Sequence, residues 1–196
     1  MTTPPLISST ANARIKQVRA LGRRKEREAT GLCVAEGIFH VGEALASGAA
    51  EYLIYAPDIL ASPFGRELVA RAESSAIPTY AVTTEVMESV AGKDNPQGLL
   101  AVARQRLARL EDLSAATHPW MIALIAPQDP GNVGTILRTI DAVGASGLML
   151  VDGGVDPYHP SAIRAGMGAI FRIPVATATW SQLIHWVRRE GYHLAG

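Results

Sequence analysis

Ala126-Pro127-Gln128-Asp129-Pro130-Gly131-Asn132-Val133-Gly134-Thr135-Ile136-Leu137-Arg138-Thr139 is the stretch on which the reading of this 196-residue chain turns. The run leading into it, Met121 to Ala126, is continuously apolar, the pattern of a strand covered on both faces in a parallel sheet. Pro130-Gly131 is turn punctuation. Asn132 is a residue type that caps helices or makes turns, and its amide both donates and accepts. From there on, Val133, Ile136, Leu137, Ile140 and Val143 recur at helical spacing, so this face is expected to pack on the sheet. Strand, sharp loop and helix N-terminus is the arrangement in which α/β proteins place their chemistry. Arg138 is the only charge between Asn132 and Ile140. Fewer than two helical turns separate it from Asn132, so both side chains can reach one cleft at the carboxyl ends of the strands. Spacing alone leaves a structural alternative open, in which Arg138 pairs with Asp141 or reaches past it to solvent.

Working outward, the chain alternates strands and helices in two blocks. In the first, Asn12–Gly22 reads as a helix stopped by glycine, Leu32–Ala35 as a strand, Gly37–Ser47 as a helix and Tyr52–Tyr55 as a strand. Arg66–Ser74 reads as a helix, Thr79–Val82 as a strand, Thr84–Val90 as a helix and Gly98–Ala103 as a strand. The polar, Ala-rich segment Arg104–Thr117 reads as an inter-domain helix or linker. Beyond the quoted stretch come a strand at Gly147–Val151, a helix at Pro160–Ala169, a short strand at Ile173–Val175, a helix at Ser181–Glu190 and a further strand from Tyr192. The organisation expected is a basic helical arm over 1–30, a small α/β domain over 31–104, a linker over 105–118 and a second α/β domain over 119–196.

The zero net charge hides an asymmetry. Arg14, Lys16, Arg19, Arg23, Arg24, Lys25 and Arg27 stand against only Glu26 and Glu28 within residues 1–30, which leaves this segment at +5 and the remainder at −5. Such an arm supplies the salt-dependent attraction that a polyanion needs; a merely solvated helix face is the alternative. No base-reading pattern accompanies the cations, so the arm is expected to position RNA, not to read its sequence. The polar turn Lys93-Asp94-Asn95-Pro96-Gln97 is a further candidate for RNA contact, or a plain connection.

Other classes are disfavoured. No apolar run approaches the roughly 20 residues of a bilayer span, and MTTPPLISST has no basic region followed by an apolar one, so it is not a signal peptide. The single cysteine, Cys33, excludes an internal disulfide, suits a reducing cytoplasm and reads as a buried strand residue. Asp156, Tyr158, His159 and Arg164 cluster around two prolines, but no second histidine or thiol stands at ligand spacing, so no metal is expected. Gly-x-Ser-x-Gly, Gly-x-Gly-x-x-Gly and Walker-type strings are absent. Trp180 and Trp186 could stack on bases, but Trp186 with Leu183 and Val187 fits an ordinary amphipathic helix. Gly166, Gly168 and Ala169 permit close backbone packing.

Asn132, Gly134, Arg138 and Gly144, within NVGTILRTIDAVGA, resemble the first signature motif of the SpoU/TrmH family of RNA ribose 2′-O-methyltransferases, part of the SPOUT class. Asp156 to Val175 is similar to the family segment that follows, CVAEG at 33–37 to the opening strand of the family's small substrate-binding domain, and NPQGLLAV at 95–102 to its closing strand. The resemblance runs from about residue 8 to the last residue. It implies a small ribosomal-protein-like α/β RNA-binding domain followed by a SPOUT methyltransferase domain with a mainly parallel sheet, S-adenosylmethionine as methyl donor without a metal, ribosomal RNA as the favoured substrate, and a homodimer. It implies catalytic roles for Asn132 and Arg138. Because a guanidinium stays protonated, Arg138 is expected to orient the ribose and stabilise its alkoxide, not to act as the base. Asn132 would hold the ribose or Arg138 itself, and the helix N-terminus at Gly131–Thr135 would face RNA phosphate. The arm cations and Arg164 would contact RNA; pairing of Arg164 with Asp156, or capping of a carbonyl, is the alternative. The family's two later motifs, an Asn-Glu pair followed by glycines and a Ser-Leu-Asn string, build its trefoil knot and donor pocket. Neither occurs here, which leads to the expectation of a piece of a longer protein, inactive as it stands and truncated before the knot, with cofactor-binding residues unassigned. A non-catalytic RNA-binding module is the second reading.

Overall fold

The computed structural model describes residues 6–92 and 95–196. The turn residues Lys93 and Asp94 and the first five residues therefore lie outside the described part. The chain divides into two compact units, Met1–Gln105 and Arg106–Gly196.

The first unit runs α1 (Ala13–Ala20), α2 (Arg24–Thr30), β1 (Leu32–Glu36), α3 (Ile38–Ala46), β2 (Ala50–Tyr55), α4 (Pro63–Ser74), β3 (Thr79–Ala81), α5 (Thr84–Glu88) and β4 (Leu99–Arg104). Its sheet has the order β1-β4-β2-β3, with β4 antiparallel to both neighbours and β2 parallel to β3. Leu99 to Ala103 of β4 are all buried, as an unbroken apolar run requires of a strand covered on both faces. Asn12, Ser62 and Thr83 open their helices with side-chain oxygens that accept from the N–H groups of Arg14, Gly65 and Val86. Cys33 is buried in β1.

Two expected boundaries are corrected. Residues 1–30 are not a separate arm: Ile15, Val18 and Leu21 are buried against Tyr52, Ile54, Val86, Met87 and Leu100. The apolar positions of α1 sit between the cations and tie the basic segment to the sheet. Nor is 105–118 a linker or a long helix. It contains only a 3-10 turn at Leu110–Asp112, and Leu113 is buried with Met149, Val151, Leu183 and Trp186. Trp186 donates Nε1–H to the Leu113 carbonyl at 3.1 Å, and the Tyr158 hydroxyl both accepts from the Arg106 N–H and donates to the Arg106 carbonyl. This stretch is the first layer of the second unit.

The second unit continues with β5 (Met121–Ile125), α6 (Pro130–Val143), β6 (Gly147–Val151), α7 (Pro160–Ala165), β7 (Val175–Ala178) and α8 (Trp180–Glu190). The three strands form a parallel sheet in the order β5-β6-β7. Central β6 is buried throughout. Against expectation, β5 is half-exposed, and Ile125 shows 53% of its surface: among the described residues β5 has a strand on one side only. The expected strand from Tyr192 is also absent; Tyr192 instead stacks on the Trp186 indole at 4.5 Å between centroids. The expected helix 160–169 stops at Ala165 and resumes as a 3-10 turn, because Met167 and Gly168 take positive φ.

Helix α6 is fixed by a close crossing. A Cβ at Gly134 would lie 2.3 Å from the Ala162 carbonyl oxygen and 2.9 Å from the Gly166 nitrogen. Backbone of α7 thus fills the place of a side chain, while Val133, Leu137 and Ile140 are buried on α6 itself. Gly144 ends the helix with φ 72°, in the left-handed C-cap conformation. An alanine at position 134 would gain about 1 kcal/mol in helix propensity, but its methyl group would meet a carbonyl that cannot rotate aside. Overpacking outweighs that gain, so Gly134→Ala is expected to lower the unfolding free energy by about 2 kcal/mol. Urea unfolding checks this: an unchanged or raised midpoint means that the two helices part without cost.

Candidate active site and basic face

Asp129, not Asn132, caps α6. Its side chain accepts from the Asn132 N–H at 2.7 Å, and its carbonyl accepts from Val133. Asp129 followed by Pro130 at the first helical position is a recognisable start signal, and it moves Asn132 inside the first turn. Pro130 has no N–H, so Gly131 carries the one N–H of this turn not engaged among the described residues. The expected anion site at the helix N-terminus is therefore corrected: the helix's own carboxylate already faces the positive end of its dipole.

The solvent face of α6 holds Asn132, Thr135, Arg138, Thr139 and Val143. Thr135 donates its hydroxyl to the Gly131 carbonyl and Thr139 donates to that of Thr135. Both threonines are thus turned onto the backbone. Arg138 is exposed and makes no hydrogen bond or ion pair among the described residues. Its possible intrahelical partner Asp141 is held instead by Arg172. The Asn132 amide and the Arg138 guanidinium are consequently the polar groups this face leaves for a ligand. Six residues place them about 9 Å apart along the axis and about 120° apart around it. They flank the face and do not bond to each other. Arg164, on α7, is also exposed and, among the described residues, without an ion pair, while Asp156 accepts from the Tyr158 N–H. His159 caps α7 through Nδ1. Among the described residues no cluster of three or more metal-ligating groups exists.

Residues 12–101 match the MRM3-like substrate binding domain, and residues 119–196 match the SpoU rRNA Methylase family. RlmP of Bacillus subtilis, a 23S rRNA guanosine 2′-O-methyltransferase, is 30% identical over 190 residues, 97% of this chain and 72% of that protein. The chain belongs to the SpoU rRNA methylase family.

Solved relatives agree on the fold. An AdoMet-bound rRNA methyltransferase from Sinorhizobium meliloti superposes with a TM-score of 0.82 at 34% identity, covering 94% of this chain and 68% of that one. The SpoU methyltransferase AviRb of Streptomyces viridochromogenes, in complex with AdoMet, gives 0.77 at 25% identity over 91% of this chain and 67% of its own.

In the half that matches the family's substrate-binding domain, the seven cations separate into distinct environments. Arg27 is 1% exposed, and its Nη1 donates to the carbonyls of Leu21 and Gly22 at 2.8 and 2.9 Å. It is removed from the RNA contacts expected at the surface: its charge is spent on carbonyls left over after the end of α1. Arg14 lies over the Tyr80 ring at 4.1 Å and the Tyr52 ring at 5.1 Å. Arg23 and Arg24 make exposed pairs with Glu26 and Glu28 at 3.5 and 2.7 Å, contacts of little energetic weight that RNA can displace. Lys16 and Lys25 are exposed and unpaired among the described residues, and Arg19 donates to Ser89 Oγ at 3.3 Å. Of the two tryptophans, Trp186 belongs to the core and Trp180 is exposed.

Sequence inspection passed over Tyr52, which braces this face. It donates its hydroxyl to Gln17 Oε1 at 2.8 Å. Burial pushes its phenol up to about 12, against the opposing charge of Arg14. An unfolded tyrosine titrates near pH 10, so the folded state holds the proton more tightly. That advantage is complete below about pH 10 and is lost as pH rises toward 12. Tyr52→Phe is expected to flatten the alkaline fall of the melting temperature between about pH 10 and 11. A fall as steep as in the unaltered protein would assign alkaline unfolding to other groups.

Proposed function

We propose that the protein is an RNA (ribose-2′-O)-methyltransferase that takes its methyl group from S-adenosylmethionine and acts on ribosomal RNA. The observation that carries the catalytic part is Arg138: a guanidinium on the solvent face of α6, with Asp141 withdrawn by Arg172 and the hydroxyls of both neighbouring threonines donated to helix carbonyls. Asn132, at the other edge of that face, has the donor and acceptor needed to orient a ribose. As the 2′-hydroxyl gives up its proton to solvent water, the Arg138 guanidinium beside the oxygen stabilises the developing charge, and positioning supplies much of the rest.

The described residues do not by themselves build a pocket for the methyl donor. Asp129 and Asp152, the carboxylates beside the carboxyl ends of β5 and β6, already cap α6 and accept from the Trp180 N–H. The exposed Ile125 offers apolar surface but no polar recognition. The roles assigned here therefore concern the ribose, and no step is derived through the donor.

The same reading takes Arg14, Lys16, Arg19, Arg23, Arg24, Lys25 and Arg164 as contacts to RNA. It takes the protein as a cytoplasmic homodimer. Support for the dimer comes from the apolar side chains left exposed on β5 and α6, Ile125 at 53% and Val143 at 52%, since obligate interfaces bury such surface. No helix among the described residues is long and apolar enough to cross a membrane. The alternative of a non-catalytic RNA-binding module is disfavoured by the SpoU match over residues 119–196.

Arg138→Ala in the intact protein is expected to cut the rate of methyl incorporation into ribosomal RNA by about 100-fold or more, while affinity for the RNA stays within a few-fold. Incorporation of labelled methyl groups and a binding titration separate the two quantities. Unchanged turnover removes Arg138 from the active site.

A further inference from the structure

The basic segment does more than carry a diffuse charge. Lys16, Arg19, Ala20 and Arg23 line a hollow of about 310 Å3 at the corner where α1 meets α2. Lys16 and Arg19 are three residues apart and share one face of α1, and Arg23 is the N-cap residue of α2. Its lining residues include no carboxylate; Glu26 pairs with Arg23 at 3.5 Å, an exposed contact that a phosphate can displace. Arg19 is tethered from behind by Ser89, so part of the ordering of that side chain is already accomplished in the free protein.

The corner has a buried brace. The end of a helix is a poor neighbour for an anion, because its terminal carbonyls carry partial negative charge. Here the carbonyls of Leu21 and Gly22, between α1 and Arg23, are both bonded by the guanidinium of Arg27 from inside. That fully buried cation neutralises the repulsion and fixes the turn that presents Arg23. Gln105 holds the same element from the other side, donating Nε2–H to the Arg27 and Leu32 carbonyls.

We propose that Lys16, Arg19 and Arg23 form a phosphodiester-binding corner that grips the RNA backbone, with Arg27 as its positioning residue. The corner rests on the methyltransferase reading for the identity of its polyanion, but not on Arg138 or on catalysis. It takes phosphates and reads no bases. Arg24 and Lys25, also cationic and exposed but outside the hollow, are not part of it.

The test is the salt dependence of binding to a fluorescein-labelled oligouridylate, followed by anisotropy in the full chain. Lys16→Gln/Arg19→Gln is compared with Arg24→Gln/Lys25→Gln, which removes the same formal charge; circular dichroism verifies that both fold. Each phosphate contact to a single strand contributes about 0.7 to the slope of log affinity against log salt. The first variant is expected to flatten that slope by about 1.4, and the second, whose Arg24 is already paired with Glu28, to flatten it by about 0.7 or less. Equal slopes for the two variants, or a larger change in the second, overturn the corner. If the unaltered protein has no affinity for the oligouridylate, the corner falls. If it binds the oligouridylate but does not methylate ribosomal RNA, the enzymatic reading falls and the corner stands.

Discussion

The contact on which the second unit depends is backbone against backbone, where α6 crosses α7 at Gly134. With a carbonyl oxygen 2.3 Å from the position a Cβ would occupy, only glycine admits this approach. The crossing fixes which side of α6 looks inward. Val133, Leu137 and Ile140 are committed to the core, and Asn132 and Arg138 are committed to the outside. The reactive face is thus a product of packing: the same spacing that buries the apolar stripe turns the amide and the guanidinium toward solvent. Nearby, Asp141 is drawn off by Arg172, and two threonine hydroxyls satisfy helix carbonyls. What is left on the surface is a small set of polar groups with little competition for a ligand.

A similar sorting governs the N-terminal segment. Seven cations lie close together in sequence, yet they are put to different uses. Arg27 closes a helix end, Arg14 covers tyrosine rings, and Lys16, Arg19 and Arg23 surround one hollow. A count of charges cannot separate these cases, because the difference lies in what surrounds each side chain. Burial of a guanidinium is tolerated where carbonyls receive its protons, and the turn after α1 has such carbonyls to offer.

Much of the fold was legible because its signals are local and strong. The alternation of apolar runs with helical spacing located every strand of the first sheet and the body of α6 from Val133 to Val143. The errors came where local signals mislead. Leu110 and Leu113 look incidental in a polar stretch, yet they anchor it under Trp186. The run from Tyr192 looks like a strand, but stacking on Trp186 takes its tyrosine. Asn132 is a good capping residue placed next to a better one, since Asp129 directly precedes the proline. At the site, residue types and spacing identified Asn132 and Arg138 as candidates. Their separation around the helix, and the engagement of Asp129 that silences the helix end, required coordinates. So did the burial of Arg27, which in sequence looks no different from the cations beside it.

Tyr158 fastens the beginning of the second unit in an unusual way. Its phenol serves both the amide and the carbonyl of Arg106, doing for one residue what a neighbouring strand does in a sheet. Deuterium uptake at the Arg106 amide therefore reports on the segment around Tyr158, some fifty positions further along. The proton is released only when that remote segment lifts, so its exchange clock is set by a loop to which it has no covalent proximity.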